Sequence, residues 1–234
     1  MTLDVIARIE NAYTSKFGVP RQSGLVEEVL SRIVFEPEYR AAEAVRGIED
    51  FTHLWLIWGF HEARGEKWSP TVRPPRLGGN TRIGVFATRS PYRPNRLGLS
   101  CVRLEAVEKT PDRGVTLLVA GAELMNGTPV YDIKPYLPSA DCRPEAGGGF
   151  TDKREKRRVQ VAIPEREGRK LNPADRAALE KVLAEDPRPA YQDDPERIYA
   201  FEFAERTVRF RVKDGLLTVT DIGERASRGE RERP

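Results

Sequence analysis

The sequence predicts a mostly β protein, with a first domain of short strands followed by a small α+β domain. Short runs of β-branched and aromatic residues between turn residues recur through the first part of the chain. The strand–helix alternation of a doubly wound fold does not accompany them. An amphipathic helix followed by alternating strands occurs only towards the end. We therefore expect a barrel-like β domain over residues 1–142, a linker at 143–157, an α+β domain at 158–223 and a disordered tail at 224–234.

The first domain is predicted to contain mainly strands. The helical spacing of Ala42, Val45 and Ile48 predicts one short helix, which ends near Gly47. The segment Phe51–Phe60 is continuously bulky, which is typical of a strand buried on both faces. The other strand candidates are Val5–Ile9, Ile33–Phe35, Leu99–Val107, Val115–Ala120 and Pro129–Ile133.

The second domain is predicted to combine a strand, a helix and a three-stranded meander. The strand is Arg158–Ile163, and Asn172 and Pro173 are typical of the N-cap and first residue of a helix. Alternating apolar residues then indicate three further strands, with a turn at Asp214–Gly215 between the last two. These strands are Tyr199–Phe203, Val208–Val212 and Leu217–Val219.

Composition indicates a soluble, cytoplasmic protein. Hydrophobic residues make up 39% and charged residues 32% of the 234 residues. The longest apolar run, Leu54–Phe60, is too short to cross a bilayer, and the N-terminus lacks a secretory signal. Two cysteines, Cys101 and Cys142, cannot form a disulfide framework. The net charge of +3 balances 39 basic against 36 acidic residues, which permits a polyanion partner without requiring one.

Common nucleotide and metal signatures are missing from the sequence. There is neither a P-loop nor a Gly-x-Gly-x-x-Gly fingerprint, so an ordinary ATPase or nicotinamide dehydrogenase is not supported. The two histidines, His53 and His61, are eight residues apart, about 26 Å on a straight strand, and cannot share a metal there. We expect no metal. His53 is typical of a packed residue at a strand start, whereas His61 fits either a packed or a site residue.

The segment Arg73–Ser100, called the arginine-rich segment below, is the strongest functional candidate from residue content alone. Glycines and prolines specify its turns, and Arg89 and Arg93 are suited to a carboxylate or phosphate. It could equally be a solvated surface loop. Further along, Asn126–Pro129 is most simply a tight turn, and it leads into Asp132, Lys134 and Tyr136. Alternation places these three on one strand face, a set suited to proton removal and substrate alignment.

Two basic regions near the end of the chain remain ambiguous. The run Lys153–Arg158 is typical of a solvated linker but could form a binding patch. Arg209 and Arg211 alternate with apolar residues on one predicted strand, so they face RNA phosphate or only water.

Five long motifs are distributed over nearly the whole chain. They are Lys16–Leu25 (KFGVPRQSGL), Ala44–Trp55 (AVRGIEDFTHLW), Thr71–Ser100, Gly127–Pro138 (GTPVYDIKPYLP) and Asp186–Tyr191 (DPRPAY). With these motifs the chain resembles the TrmO (TsaA-like, YaeB) family of tRNA methyltransferases.

This resemblance implies a single-sheeted β-barrel that binds S-adenosyl-L-methionine (SAM), a small C-terminal domain and a homodimer. The implied reaction methylates the exocyclic N6 of N6-threonylcarbamoyladenosine, next to the anticodon of tRNA(Thr). Asp132, with Lys134 and Tyr136, would line the acceptor end and assist proton loss. The RNA-binding residues would be Arg93, Arg96, Arg209 and Arg211. The implied cofactor residues are Ser23, Gly24, Leu25, His61, Glu62, Arg89, Ser90, Pro91, Ser100, Cys101, Ala122, Glu123, Leu124 and Met125.

The chain departs from the family pattern at two places. Arg96-Leu97-Gly98 stands where the family commonly has Pro-Ile-Gly, and Asn126 stands where it commonly has aspartate. An essential acid at position 126 is therefore not expected, and the altered loop could change the acceptor. Two alternatives stay open: a non-catalytic barrel that binds RNA or a metabolite, and SAM-dependent methylation of a different small acceptor.

Overall fold

A computed structural model of the chain describes residues 2–63, 67–74, 77, 80–152, 158–188 and 194–225. Strands predominate, which confirms the mostly β prediction. The strands are β1 (Ala7–Glu10), β2 (Leu30–Phe35), β3 (His53–Gly59), β4 (Thr71–Val72), β5 (Ile83–Gly84), β6 (Leu97–Thr110), β7 (Gly114–Ala120), β8 (Pro129–Pro135), β9 (Gln160–Ala162), β10 (Tyr199–Phe203), β11 (Arg206–Lys213) and β12 (Leu216–Glu224). The α-helices are α1 (Pro138–Asp141), α2 (Glu165–Gly168) and α3 (Pro173–Ala184).

Six strands form one antiparallel sheet in the order β1–β2–β7–β6–β3–β8. The sheet closes on itself because β1 also pairs with β8, through Ala7 opposite Val130. Its inward-facing residues, among them Ile33, Leu56 and Leu117, are fully buried and form one hydrophobic core. We refer to this unit as the closed sheet. β4 and β5 pair separately beside it.

Burial along β3 differs from the prediction. Leu54, Leu56 and Trp58 are buried, but His53, Trp55 and Ile57 between them are only half-buried. The expectation of a strand buried on both faces is therefore wrong. Two of the outward residues, Trp55 and Ile57, are themselves bulky and apolar, so the hydrophobic pattern shows no alternation although the burial does.

The helix predicted before β3 is also wrong. This region contains three separate 3₁₀ turns, Pro37–Tyr39, Ala42–Val45 and Ile48–Asp50. Ala41 between the first two turns is extended, and Gly47 before the third has a φ of +82°. Both conformations interrupt an α-helix. Val45 and Ile48 pack against the core of the closed sheet from two separate turns, whereas Ala42 is exposed.

The C-terminal unit consists of a four-stranded sheet in the order β10–β11–β12–β9, covered by α3. The predicted helix start is confirmed, since the Asn172 side chain caps it by accepting a hydrogen bond from the Asp175 backbone N–H at 2.8 Å. The three-stranded meander is confirmed as well. The parallel pairing of β9 with β12, through Val161 opposite Leu217, was not predicted from the sequence.

The connection between β1 and β2, residues 11–29, belongs to the C-terminal unit by its packing. Tyr13, Val26 and Val29 are buried in the same hydrophobic core as the strands of that unit, and Phe17 packs against it. The core of the closed sheet contains none of these four residues. Segments far apart in the chain therefore build the second core together.

Neither a membrane-spanning helix nor a cluster of metal ligands is found among the described residues. Among their helices, none combines the length and the apolar content that a membrane span requires. Within the same residues, no group of three or more His, Cys, Asp and Glu side chains is placed to hold a metal ion.

Candidate active site

Several of the predicted cofactor residues meet at one end of the closed sheet. The β1–β2 connection reaches this end, where the Gly24 backbone N–H donates to the carbonyl of Gly121 at 2.9 Å. Arg89 donates from Nη1 to Oε1 of Gln22 at 2.9 Å, which joins the arginine-rich segment to the same connection. Three segments remote in sequence thus surround Glu123, two residues beyond Gly121.

The carboxylate of Glu123 ends a directional chain of hydrogen bonds. Trp58 donates from Nε1 to the Ser100 hydroxyl at 2.9 Å, and that hydroxyl is 2.7 Å from Oε1 of Glu123. Because an indole N–H can only donate, the Ser100 hydroxyl hydrogen is free to point towards Glu123. Ser100 is fully buried, so this chain holds Oε1 in a fixed position.

The second oxygen of Glu123 is enclosed but unsatisfied. Oε2 is buried and has no hydrogen-bond partner among the residues that the structure describes. Burial raises the pKa of the Glu123 carboxyl above its ordinary value, while the Ser100 hydrogen bond, backbone hydrogen bonds from Glu123 itself and from Ser23, and the charge of Arg89 oppose the rise. A buried carboxylate oxygen of this kind suits a ligand that supplies a cation or a hydrogen-bond donor.

The other predicted cofactor residues divide according to which way their side chains point. Ala122 and Leu124 are buried in the core of the closed sheet, so only their backbone groups can meet a ligand. Leu25 packs against the second core. Cys101 lies on the outer face of β6, opposite Trp55. The backbone carbonyl of Met125 accepts a hydrogen bond from the Thr128 N–H at 3.1 Å and belongs to the turn that follows.

His61 and Glu62 lie just beyond the end of β3. Nδ1 of His61 is 3.5 Å from the Thr128 hydroxyl, and Nε2 is 3.6 Å from Oε1 of Glu62. His53 begins the same strand, so the two histidines are at its opposite ends. Asn126 has a structural role at this turn, because its Oδ1 accepts a hydrogen bond from the Asn11 N–H at 3.1 Å.

The arginine-rich segment has a specified shape rather than the form of a loose surface loop. Between β5 and β6, the Thr88 hydroxyl donates to the carbonyl of Val85 and accepts a hydrogen bond from the Ser90 N–H. Nη2 of Arg93 donates to the carbonyls of Val85 and Thr88, and Arg96 donates to the carbonyl of Ala63. Pro91 follows Ser90 directly, and the glycine pair at 78–79 lies outside the described residues.

Asp132, Lys134 and Tyr136 lie along the outer side of the closed sheet. Asp132 and Lys134 form an ion pair at 2.9 Å, and the other oxygen of Asp132 accepts a hydrogen bond from the Ile133 N–H at 2.9 Å. The pairing of β8 with β3 extends past Pro135, since the Tyr136 N–H donates to the carbonyl of His53 at 3.0 Å. No hydrogen bond or ion pair between the described residues joins this trio directly to Glu123.

Two residues beside this trio were missed in the sequence. The Trp55 ring lies 5.7 Å from that of Tyr136, and its Nε1 donates to Oδ2 of Asp141 at 3.0 Å. Asp141 is in α1, and the same oxygen accepts a hydrogen bond from the Leu137 N–H. A tryptophan on the outer face of a strand is a candidate contact residue. Trp55 was not identified as one because β3 was predicted to be buried on both faces.

The C-terminal arginines differ in their pairing. Arg209 forms an ion pair with Asp221 at 2.7 Å, whereas Arg211 is exposed on the same strand, β11. Arg93, by contrast, donates to the backbone carbonyls of Val85 and Thr88, and Arg96 donates to the carbonyl of Ala63. The basic residues at 153–157 and the chain beyond Arg225 lie outside the described residues. The predicted start of the disordered tail at 224 is wrong, because Glu224 is the last residue of β12.

Comparisons with known proteins match both units. Residues 8–142 match the family model of the tRNA-methyltransferase O N-terminal domain, and residues 156–225 match that of the TrmO C-terminal domain. The chain is 42% identical over 222 residues to a tRNA (adenine(37)-N6)-methyltransferase of Escherichia coli K12, covering 92% of this chain and 94% of that protein. It is 37% identical over 228 residues to a putative S-adenosylmethionine-dependent methyltransferase of Pseudomonas aeruginosa, covering 93% and 95%. A crystal structure described as TrmO superimposes with a TM-score of 0.76 at 32% identity, covering 95% of this chain and 99% of that one.

Proposed function

Since the chain belongs to the tRNA-methyltransferase O family, we propose that it methylates N6 of N6-threonylcarbamoyladenosine next to the anticodon of tRNA(Thr), using SAM. The observation that carries the proposal is the enclosed Glu123 carboxylate beside Arg89, where three remote segments meet. The closed sheet would be the SAM-binding β-barrel domain, residues 1–142, joined through a linker at 143–157 to the small α+β domain at 158–223. The protein would act in the cytoplasm as a homodimer.

The residues at this end of the sheet fit SAM. Its sulfonium is a cation, and its amino and hydroxyl groups are donors, which match the unsatisfied oxygen of Glu123. When bound, SAM supplies an electrophilic methyl group. Glu123 would hold a donor or the positive charge. Gly24 and Ser90 would contribute their backbone carbonyls, since their N–H groups donate to Gly121 and Thr88. The full proposed set is Ser23, Gly24, Leu25, His61, Glu62, Arg89, Ser90, Pro91, Ser100, Cys101, Ala122, Glu123, Leu124 and Met125.

The acceptor end would be lined by Asp132, Lys134 and Tyr136. The Lys134 ammonium pairs with Asp132 but is 62% exposed, so it would also be able to meet the threonyl carboxylate of the modified base. The adjacent rings of Tyr136 and Trp55 suit stacking with a nucleobase, which is the common way in which proteins hold unpaired bases. The acceptor nitrogen is part of a urea-like group, so its proton has to leave as the methyl arrives, and Asp132 would assist that loss.

Positive charge for the anticodon phosphates would come from Arg93, Arg96, Arg209 and Arg211. Arg93 donates to the uncharged carbonyls of Val85 and Thr88, so it would attract phosphate while it shapes the loop, and Arg96 lies three residues further along the same segment. Arg211 is exposed and available in the same way, whereas Asp221 already compensates Arg209.

The proposal is tested by incubating the full-length protein with labelled SAM and tRNA(Thr), with and without the threonylcarbamoyl modification. We expect label only in the modified tRNA, as the N6-methylated nucleoside in mass spectrometry. Asp132→Asn should lower turnover at saturating SAM by about 10²–10⁴-fold if Asp132 assists proton loss. Wild-type turnover in that variant would refute the role of Asp132 but not the reaction.

A second candidate is a non-catalytic RNA-binding protein, which Arg93 in the arginine-rich segment and the exposed Arg211 would also suit. It predicts tRNA binding without methyl transfer to any nucleoside. A third outcome, methyl transfer to a different acceptor, would show label in another product of the same assay.

A further inference from the structure

The β1–β2 connection, residues 11–29, is held from two sides by different parts of the molecule. We propose that the C-terminal unit fixes the shape of this connection, so that Phe17 and Arg21 are positioning residues for cofactor binding. The C-terminal unit would then support the methyl-transfer site in addition to binding RNA. This inference rests on the proposed function, because it takes Ser23–Leu25 to be part of the SAM site.

The connection has no secondary structure of its own to hold it in place. None of its 19 described residues belongs to a helix or a strand. A segment of this length without regular structure is ordered only when tertiary contacts offset the loss of backbone entropy, about 1–2 kcal/mol per residue. Its conformation at Ser23–Leu25 must therefore be decided by what it touches.

Aromatic packing supplies the first set of contacts with the C-terminal unit. The Phe17 ring stacks on Phe210 at 6.5 Å between centroids and meets the edge of Phe201 at 6.1 Å. Gly18 presses against the same ring, since a Cβ there would lie 2.2 Å from Cδ2 of Phe201. The backbone thus lies directly on β10 at this point.

Hydrogen bonds supply the second set. Arg21 donates from Nη2 to the carbonyl of Arg188 at 2.8 Å, and the Ser15 hydroxyl accepts a hydrogen bond from the Glu202 N–H at 3.2 Å. Arg188 is itself a fixed anchor, because it is only 5% exposed and pairs with both oxygens of Asp186 at 2.9 Å. Arg21 is therefore tied to a rigid point of the C-terminal unit.

The opposite flank of the connection carries the contacts to the candidate site. Nζ of Lys16 lies 5.9 Å from the centre of the Tyr92 ring, and Oε1 of Gln22 accepts the hydrogen bond of Arg89. The Gly24 N–H bonds to Gly121 next to the Glu123 segment. Residues 17, 18 and 21 thus meet the C-terminal unit, while neighbours 16, 22 and 24 meet the site. A displacement of the residues that contact the C-terminal unit would therefore also displace the neighbouring residues that contact the candidate site.

The test measures SAM affinity by calorimetry in the full-length protein, for Arg21→Ala, Arg21→Lys and Phe17→Leu. Arg21 is exposed, so its variants should fold. We expect Arg21→Ala and Phe17→Leu to weaken SAM binding about 3–10-fold, the effect of one lost hydrogen bond or packing contact, and Arg21→Lys to restore most of it. Arg211→Ala on the exposed side of β11 is the matched control, which should weaken tRNA binding and leave SAM binding unchanged.

Hydrogen exchange provides a readout that needs no ligand. In Arg21→Ala, amides at 22–25 and 88–92 should exchange faster, while those of β2 and β7 in the closed sheet keep their rates. Unchanged SAM affinity and unchanged exchange at 22–25 in both Arg21→Ala and Phe17→Leu would overturn the inference. If the wild-type protein itself does not bind SAM, the proposed function fails. Faster exchange at 88–92 in Arg21→Ala would then still support the inference that the C-terminal unit fixes the β1–β2 connection and through it the arginine-rich segment, and unchanged exchange would refute it.

Discussion

Replacing Gly18 by alanine should destabilise the protein through two separable effects. Gly18 has a φ of +98°, a conformation that costs a residue with a Cβ about 1–2 kcal/mol. The added methyl group would also lie 2.2 Å from a carbon of the Phe201 ring, which is too close for any contact. Overpacking of this kind adds about 1–3 kcal/mol. We therefore expect Gly18→Ala to lower the free energy of unfolding by about 2–5 kcal/mol.

Gly47→Ala is the matched control for this prediction. Gly47 has a φ of +82°, but a Cβ there would have nothing within 4 Å. It should therefore show only the backbone effect, a loss of about 1–2 kcal/mol. Urea denaturation followed by circular dichroism measures both variants. If Gly18→Ala is no more destabilising than Gly47→Ala, the Phe201 ring moves aside without cost and the packing argument is refuted.

Three further predictions concern individual charges. Glu123→Gln should raise the free energy of unfolding at pH 7, because burial raises the pKa of this carboxyl and disfavours its ionised form. The same variant should weaken SAM binding at least about 10-fold. Urea denaturation measures the first effect and calorimetry the second. The Lys170 ammonium lowers the pKa of the Glu167 carboxyl below its ordinary value of 4.5. The free energy of unfolding of the wild type should therefore fall as the pH drops from 4.5 towards the pKa of Glu167 in the folded protein. In Glu167→Gln this fall, measured by urea denaturation at several pH values, should be smaller. Arg211→Ala should reduce the slope of log tRNA affinity against log salt concentration by about one. Arg209→Ala should reduce it by less, because Arg209 already pairs with Asp221. Equal slopes for the two variants would contradict the different roles given to these arginines.

The positions of most strands and of the second-unit helix were predictable because their signals are local. Asn172 and Pro173 mark the start of α3, and alternating apolar residues mark β10–β12. The errors occurred where a pattern has two structural explanations. Helical spacing before Gly47 arises from separate 3₁₀ turns, and the unbroken apolar run in β3 combines a buried face with an outer face that carries Trp55.

The candidate site was predictable only in part. The motifs singled out Asp132, Lys134 and Tyr136, and alternation placed them on one face. The sequence does not reveal that Asp132 pairs with Lys134, that Arg93 bonds to backbone carbonyls, or that Asp141 fixes Trp55. Each of these contacts depends on how strands and turns approach one another in space, which residue types alone do not specify.

By itself, the sequence determined the mostly β character, most of the strands and the family to which the chain belongs, because local propensity and long motifs suffice for these. Only the tertiary structure decided that the β1–β2 connection joins the second core through Tyr13, Val26 and Val29. Only it brought Trp58, Ser100 and Glu123 into one hydrogen-bonded chain. These residues come from three segments that are separated along the chain. Their contacts form only when the closed sheet and the second core assemble, so no local pattern encodes them.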